Sequence, residues 1–336
     1  MLHTVLSQRQ IEADIPLCGN YFIKVGQFKV PFGREAMTWE SYNFFSDYSL
    51  TYNTSENGRD VGAAIHGNYG IFTSTFGVFT GGGRDVPLRF LPEDLGCPEL
   101  VARIGLNDGY DADNLDLSEV DRGPNGYAID VDGLYTRDSR IGHSTVLNVK
   151  TSDKNLMLDA DYNPFIGISP FSQGVYWQYG IDGGVRTTAN KTTWSGEWEL
   201  NHEGYSNDYG GLHLTTGRIQ AQLMGEHIGF GLRYSFYQPD QNFTYVASGK
   251  AYTNFMGTEF VNEFVPAATY FFTNQHLKVT FELPVLPDAP VITEPGIGSY
   301  LITEMPDQVT VLSNAAHPFV VRQTVIQARL ELQYQF

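Results

Sequence analysis

The sequence predicts an all-β fold, a transmembrane antiparallel β-barrel of about 14–16 strands, one domain over residues 1–336 with no separate periplasmic domain. Three observations predict it. Apolar and polar residues alternate one by one in long segments, with almost no helical periodicity. These segments run roughly nine to sixteen residues, near the tilted length that crosses a bilayer and beyond the usual soluble strand. Long links alternate with tight turns, the asymmetry of outer-membrane barrels.

Candidate strands fall near 4–15, 20–31, 59–67, 70–81, 99–107, 126–137, 143–150, 154–163, 173–187, 190–203, 210–224, 226–237, 262–273, 275–285 and 320–336. In "HIGFGLRYSFY" Ile228, Phe230, Leu232, Tyr234 and Phe236 share one side, and Arg233 and Ser235 the other. "WSGEWELN" sets Trp194, Trp198 and Leu200 against Ser195, Glu197, Glu199 and Asn201. The ending "VIQARLELQYQF" alternates without a break from Ile326 to Phe336. Segments 20–31 and 210–224 lose the alternation midway, which suggests a bulge in each. The links "TNQ", "GEH", "TAN" and "SDK" are tight, while "GYSNDYGG" and "NPFIGISPFS" are long. Residues 108–125 break the rule, being long on the short-turn side. Alternation alone also suits a soluble sandwich. Strand length, 20 tyrosines with 22 phenylalanines, and the loop asymmetry favour the membrane. Aromatics near strand ends (Tyr21, Tyr69, Tyr110, Tyr162, Tyr205, Tyr237, Tyr270, Tyr334, Phe336) fit interfacial girdles or ordinary turn positions.

Charge and composition exclude other classes. The 38 acidic against 21 basic residues give a net charge of -17, the wrong sign for nucleic acid. No run of apolar residues is long enough for a membrane helix. "MLHTVLSQRQ" lacks a basic start and an apolar core, so it is no secretory signal; taken alone it reads as cytoplasmic. The histidines show no ligand spacing, so neither a metal nor a cofactor is expected. In "DADNLDLSEVD" the EF-hand pattern fails, with no glycine at the sixth position and Arg122 at the twelfth; a solvated acidic turn is the simpler reading. Cys18 and Cys97 belong to opposite ends of the barrel, too far apart to be bridged.

Strand parity assigns the lumen-facing charges. The pore-lining bases are Arg103, Arg186, Arg233, Lys278 and Arg329; the acids are Asp130, Asp132, Asp159, Asp161, Asp182, Glu197, Glu199, Glu282 and Glu331. Such a wall suits a transverse field, and its acidic excess favours cations. Each single charge reads equally as a solvated wall residue. Two links could fold inward as a constriction: Gly81–Pro98, with Arg84, Asp85, Arg89, Glu93 and Asp94, and Asn163–Gln173. His202 and His213, with Ser206 and Asn207 near them, are the only hint of a barrel enzyme, and ordinary loop composition explains them. No enzymatic activity is expected.

"YFIKVGQFKVPFG" (Tyr21–Gly33) and "GRDVGAAIHGNYGIFTSTFGVFTG" (Gly58–Gly81) resemble consecutive strands of the phosphate-selective porin family, porin O and P. "ELVARIGLND" and "TYFFTNQHLKVTFEL" resemble its later strands, and the terminal Phe336 resembles the aromatic signal read by the outer-membrane insertion machinery. The resemblance implies a sixteen-stranded homotrimeric barrel in the lipid of a bacterial outer membrane, passing small ions and solutes by diffusion. It also implies that the last strand pairs with the first, and that a signal peptide and one or two strands lie upstream of Met1. Phosphate selectivity in the family rests on clustered bases, which this chain lacks. A nonspecific or weakly cation-preferring pore is therefore expected, with a phosphate- or anion-selective porin and a non-conducting structural or adhesive barrel as alternatives.

Overall fold

A computed structural model describes residues 3–7, 10–39, 42–55, 57–81, 98–111, 117–137, 150–151, 154–155, 175–207, 210–239, 244–247, 250–253, 260–273, 277–294, 298–301 and 319–334. Its elements are β1 (His3–Ser7), β2 (Gln10–Pro16), β3 (Tyr21–Lys29), the short helices α1 (Arg34–Met37) and α2 (Leu50–Ser55), β4 (Arg59–Tyr69), β5 (Phe72–Phe79), β6 (Glu99–Asp108) and β7 (Gly126–Arg137). Then follow β8 (Lys150–Thr151), β9 (Lys154–Asn155), β10 (Val175–Ala189), β11 (Thr192–Asn207), β12 (Gly210–Met224), β13 (Ile228–Pro239), β14 (Thr244–Ala247), β15 (Lys250–Thr253) and β16 (Val261–Thr273). The chain ends with β17 (Leu277–Glu282), β18 (Val285–Glu294), β19 (Gly298–Leu301), β20 (Phe319–Ile326) and β21 (Arg329–Tyr334).

Seventeen of these strands form one sheet, and β14–β15 and β8–β9 form two small separate ladders. Neighbours in the chain are neighbours in the sheet from β1 to β7, all antiparallel. The order continues through β10, β11, β12, β13, β16 and β17 to β21. β18 prolongs β17 past Pro284 and pairs with β19 and β20. β10 and β11 stay in register from Val175↔Ser206 to Ala189↔Thr192. Asn190 and Lys191 close that hairpin with φ of 49° and 66°, both left-handed, which is the twist a two-residue hairpin turn needs.

The two faces of the sheet reverse the polarity of a soluble protein. Along β13, Phe230 and Leu232 are 60% and 56% exposed, while Arg233 and Ser235 just beyond them are 1% and 0% exposed. The same inversion runs through β4 to β7, β10 to β12, β16 and β17, with Ile65, Phe76, Ile104, Val131, Ile181, Ile219, Phe264 and Phe281 outward. β21 continues it outside with Leu330, Leu332 and Tyr334. Apolar rows this extensive are costly in water and at home against acyl chains. Tyr69, Tyr270 and Tyr334 lie exposed near strand ends, as girdle residues would.

Inside the curve of the sheet lies the segment joining β3 to β4. Gly33 N–H donates to Asp132 of β7, Glu35 N–H to Glu199 of β11, and Leu50 N–H to Ser235 of β13. The Phe44 carbonyl accepts from Thr269 of β16, the Asn43 carbonyl from Lys278 of β17, and the Asp47 carboxylate from Arg329 of β21. One segment touching the inward side chains of strands from β7 to β21 requires the sheet to curl around it. Residues 109–111 and 117–125 enter beside it. Phe44 and Phe45 pack with Val120, Met224, Val265 and Phe271 in an apolar core inside the sheet, and Leu50 packs with Leu214 and Val261.

Several sequence expectations change. Segment 4–15 is a hairpin of two strands, turning between Ser7 and Gln10. β7 pairs directly with β10, so the expected strands 143–150 and 154–163 do not stand between them in the wall. β11 and β12 pair as far as Asn207↔Gly210, so "GYSNDYGG" is strand and tight turn rather than a long loop. No register shift interrupts β3 or β12. In β12 the alternation breaks because Leu214 faces inward onto Leu50 and the outward Gly217 is covered by the Phe236 ring. Irregularities fall instead at Phe271/Thr273 and Leu286/Ala289. Among the described residues no ladder joins β1 to β20 or β21. The five residues of β1 pair only with β2, so the expected first-to-last pairing is not observed.

Candidate functional site

The inner wall carries a connected set of buried ion pairs, whose members stand at inward-facing positions of β6, β7, β10, β11, β12, β13 and β16. Arg103 of β6 is the first node. Its guanidinium reaches Asp130 at 2.9 Å and Asp132 at 2.7 Å on β7, and Asp182 of β10 at 2.6 Å. Register explains the meeting, since Arg103 stands opposite Asp132 and Asp182 opposite Asp130. Three carboxylates take both terminal nitrogens of one planar fork.

Arg34, at the start of α1, is the second node. It lies 2.6 Å from Asp111, 3.3 Å from Glu197 and 3.7 Å from Asp182. Gly33 before it has φ 73°, and a Cβ there would fall 2.6 Å from Glu199 Oε1, so this turn needs glycine. Arg34 also stacks on the Tyr110 ring at 4.7 Å, and Arg186 of β10 stacks on the same ring at 5.1 Å. The Tyr110 hydroxyl donates to Glu197 at 2.8 Å. This ring therefore pins the chain at Tyr110 to the inner wall.

Arg218 of β12 is the third node and the most crowded. It faces Glu119 at 3.2 Å, Glu197 and Glu199 at 3.3 Å, and Glu35 at 3.5 Å. Arg233 of β13 is the fourth, 3.7 Å from both Glu35 and Glu263, with Asp47 and Tyr48 carbonyls on its nitrogens. Four guanidiniums thus face nine carboxylates: Glu35, Asp111, Glu119, Asp130, Asp132, Asp182, Glu197, Glu199 and Glu263. Burial pushes the Asp111 carboxyl up to about 6, and Arg34 beside it only partly offsets this. Its folded value exceeds the ordinary 3.8, so the buried charge costs stability above pH about 6. That cost is relieved as pH falls from about 6 towards 3.8. Burial raises Glu119 as well, and Glu197 beside it adds to the rise.

Of the charges that parity assigned inward, Arg103, Asp130, Asp132, Asp182, Arg186, Glu197, Glu199, Arg233, Lys278 and Glu282 are all buried on the inner face. Arg329 and Glu331 face the same way, half-buried at its edge. Asp159 and Asp161 lie outside the described residues. Arg84, Asp85, Arg89, Glu93 and Asp94, the segment 163–173, and Cys97 also lie outside the described residues. Among the described residues, 30–39 and 42–55 fold inward, with 109–111 and 117–125 beside them.

The acidic run at 111–122 is no solvated turn where it is described, because Asp111 and Glu119 are buried against Arg34 and Arg218. Tyr110 is likewise inside and belongs to no girdle. Arg34, Glu35, Arg218 and Glu263 escaped sequence reading. Parity would have found Arg218, two residues from Gln220 in the same inward row, and Glu263, in the row of Val261 and Val265. Nothing local marks Arg34 or Glu35.

His202 and His213 sit on the outer face with ring centroids 5.9 Å apart, against Trp177 and Tyr179, and His202 Nδ1 hydrogen-bonds the Thr215 hydroxyl at 2.8 Å. Among the described residues no three His, Cys, Asp or Glu side chains are placed together to hold a metal ion.

One solved structure shares this fold, and two more are similar to the chain. The outer-membrane expressed OmpT of Vibrio cholerae aligns with TM-score 0.50 at 10% identity over 97% of this chain and 80% of its own. A loop L8 deletion mutant of OmpT gives 0.48 at 10% identity, over 83% of this chain and 74% of its own. In-vitro folded OmpT in its trimer form gives 0.47 at 11%, over 89% of this chain and 77% of its own. No curated protein matches the chain. The family described as phosphate-selective porin O and P matches residues 3–87, from β1 through β5 and just beyond. Across its first quarter, then, this sequence is similar to the phosphate-selective porin O and P family, and its antiparallel sheet shares the fold of OmpT.

Proposed function

We propose that the protein is a porin of the bacterial outer membrane, conducting small ions by diffusion through a bore narrowed by the described residues between β3 and β4 and between β6 and β7, with a weak preference for cations. One observation carries the reading: nine carboxylates line the described bore around four guanidiniums, and each guanidinium already contacts at least two of them. No described arginine of this cluster is left to attract phosphate, and the residual field is negative. Lys24, the inward base of β3, is likewise engaged by Glu12 at 3.0 Å and Asp14 at 3.4 Å. The outward apolar face supports lipid contact, and export ahead of insertion through the C-terminal strand follows from that placement. Assembly as a homotrimer and the absence of enzymatic activity belong to the same reading. A non-conducting barrel is the second reading, favoured by the dense packing of Phe44, Phe45 and the ion pairs inside the sheet.

Reconstitution in a planar bilayer under a tenfold potassium chloride gradient separates these. Steady current steps with a reversal potential of the sign set by potassium are expected. A reversal potential of the chloride sign would overturn the cation preference, and a silent bilayer would favour the non-conducting barrel.

A further inference from the structure

Ser195, Gln220 and Gln222 occupy adjacent inward positions on the β11–β12 hairpin. Ser195 stands directly opposite Gln222, and Glu197 directly opposite Gln220. All three side chains are 2% exposed. Among the described residues Ser195 Oγ, Gln220 Oε1 and Gln222 Oε1 have no hydrogen-bond partner. The amide orientations are set by their other ends. Gln220 Nε2 donates to Glu197 Oε2 at 3.4 Å, and Gln222 Nε2 donates to the Glu119 carbonyl at 2.5 Å. What remains is two amide oxygens that can only accept and one hydroxyl that can also donate, beside two buried carboxylates.

Nearby donors are already committed. The Arg218 nitrogens lie on Glu119, Glu197, Glu199 and Glu35. The Phe44 N–H serves Glu119 at 2.8 Å, and the Tyr110 hydroxyl serves Glu197 at 2.8 Å. Arg186 pairs across from Ser195 in the sheet, but its guanidinium is turned to Asp121 at 2.7 Å and to the carbonyls of Gly109 and Pro124. Amide and carboxylate oxygens can only accept, so they cannot satisfy one another. Leaving such groups buried and unpaired beside excess negative charge is costly.

We propose that the inner wall formed by Ser195, Gln220 and Gln222, with the carboxylates of Glu197 and Glu119, binds a hard divalent cation of the calcium class. Hydroxyl, amide and carboxylate oxygens are the ligands such an ion takes, and its charge offsets part of the carboxylate excess around Arg218. The ion is resident: it fastens residues 119 and 44 of the inward segments to the β11–β12 wall. The site stands apart from conduction, because a pore with no ion here would still conduct.

The test is thermal unfolding of the purified, detergent-solubilised protein, stripped with chelator and followed by β-sheet circular dichroism. Calcium chloride, magnesium chloride and sodium chloride are compared at matched ionic strength. Calcium or magnesium should raise the midpoint by several degrees in a saturable way, and sodium should not. Gln222→Leu together with Ser195→Ala should remove most of the rise, and Gln222→Glu should keep it. An equal rise in the Leu/Ala variant, or none in the unaltered protein, overturns the proposal. Should the Leu/Ala variant fail to fold, radioactive calcium bound to the unaltered protein decides: about one ion per chain supports the site, and none refutes it. A silent bilayer alongside a calcium-dependent midpoint would refute the channel and leave the site in place.

Discussion

Replacing Arg218 by leucine is expected to destabilise the protein by about 3–5 kcal/mol, the cost of stripping a buried charge from its partners. The guanidinium is fully buried and holds four carboxylates that come from separate parts of the chain. Glu35 belongs to α1, Glu119 to the segment before β7, and Glu197 and Glu199 to β11. Without the cation these four face one another across a few ångströms of low-dielectric interior. Their mutual repulsion adds to the cost of four desolvated charges. Arg218→Lys should recover less than half of the loss, because an ammonium cannot reach three sides of the cluster as a planar fork does. Urea titration in detergent micelles reads both variants. A loss below about 1 kcal/mol for the leucine variant would mean that water reaches this cluster and that the bore is open at this level.

Excising residues 33–56 and joining the ends by a short glycine–serine turn is expected to raise single-channel conductance several-fold. The ends are already adjacent, since Val30 N–H donates to the Gly58 carbonyl at 3.0 Å, so a tight turn can close the gap without straining β3 or β4. The excised residues fill the space between walls, as their contacts with Asp132, Glu199, Ser235, Thr269 and Arg329 show. Their loss also returns Arg218 and Arg233 to water, so the shortened protein should show a weaker cation preference. Unchanged conductance in a folded, inserted variant would place the ion path elsewhere.

The sequence disclosed the wall far better than its contents. In a barrel each strand residue faces lipid or lumen, and one slip would put arginine into acyl chains, so period-2 patterning is under strong physical constraint. That is why parity alone put Arg103, Asp132, Asp182, Glu197 and Arg233 on one face. Residues 30–57 obey no such period. Their environment is set by strands more than a hundred positions away, as Glu35 and Glu199 illustrate. Tyr110 misled for a related reason: a tyrosine at a strand end reads as interfacial unless the following segment is known to turn inward. The hairpin at 3–16 was missed because its link, Gln8–Arg9, carries none of the Gly or Asn that usually mark a tight turn. Gly217 showed the opposite failure, a break in the pattern filled by a neighbour's Phe236 rather than by a bulge.

The central claim is that apolar side chains face lipid while charged ones are sealed inside the sheet. Spin labels placed one at a time along 228–236 of β13, in the protein reconstituted in bilayers, test it most directly. Labels at Phe230, Leu232 and Tyr234 should collide with oxygen dissolved in lipid and be protected from an aqueous nickel chelate. Labels at Gly231, Arg233 and Ser235 should be shielded from oxygen and immobilised, giving a period of two. Equal access of the chelate to both sets, or oxygen contact at Arg233, would contradict the account.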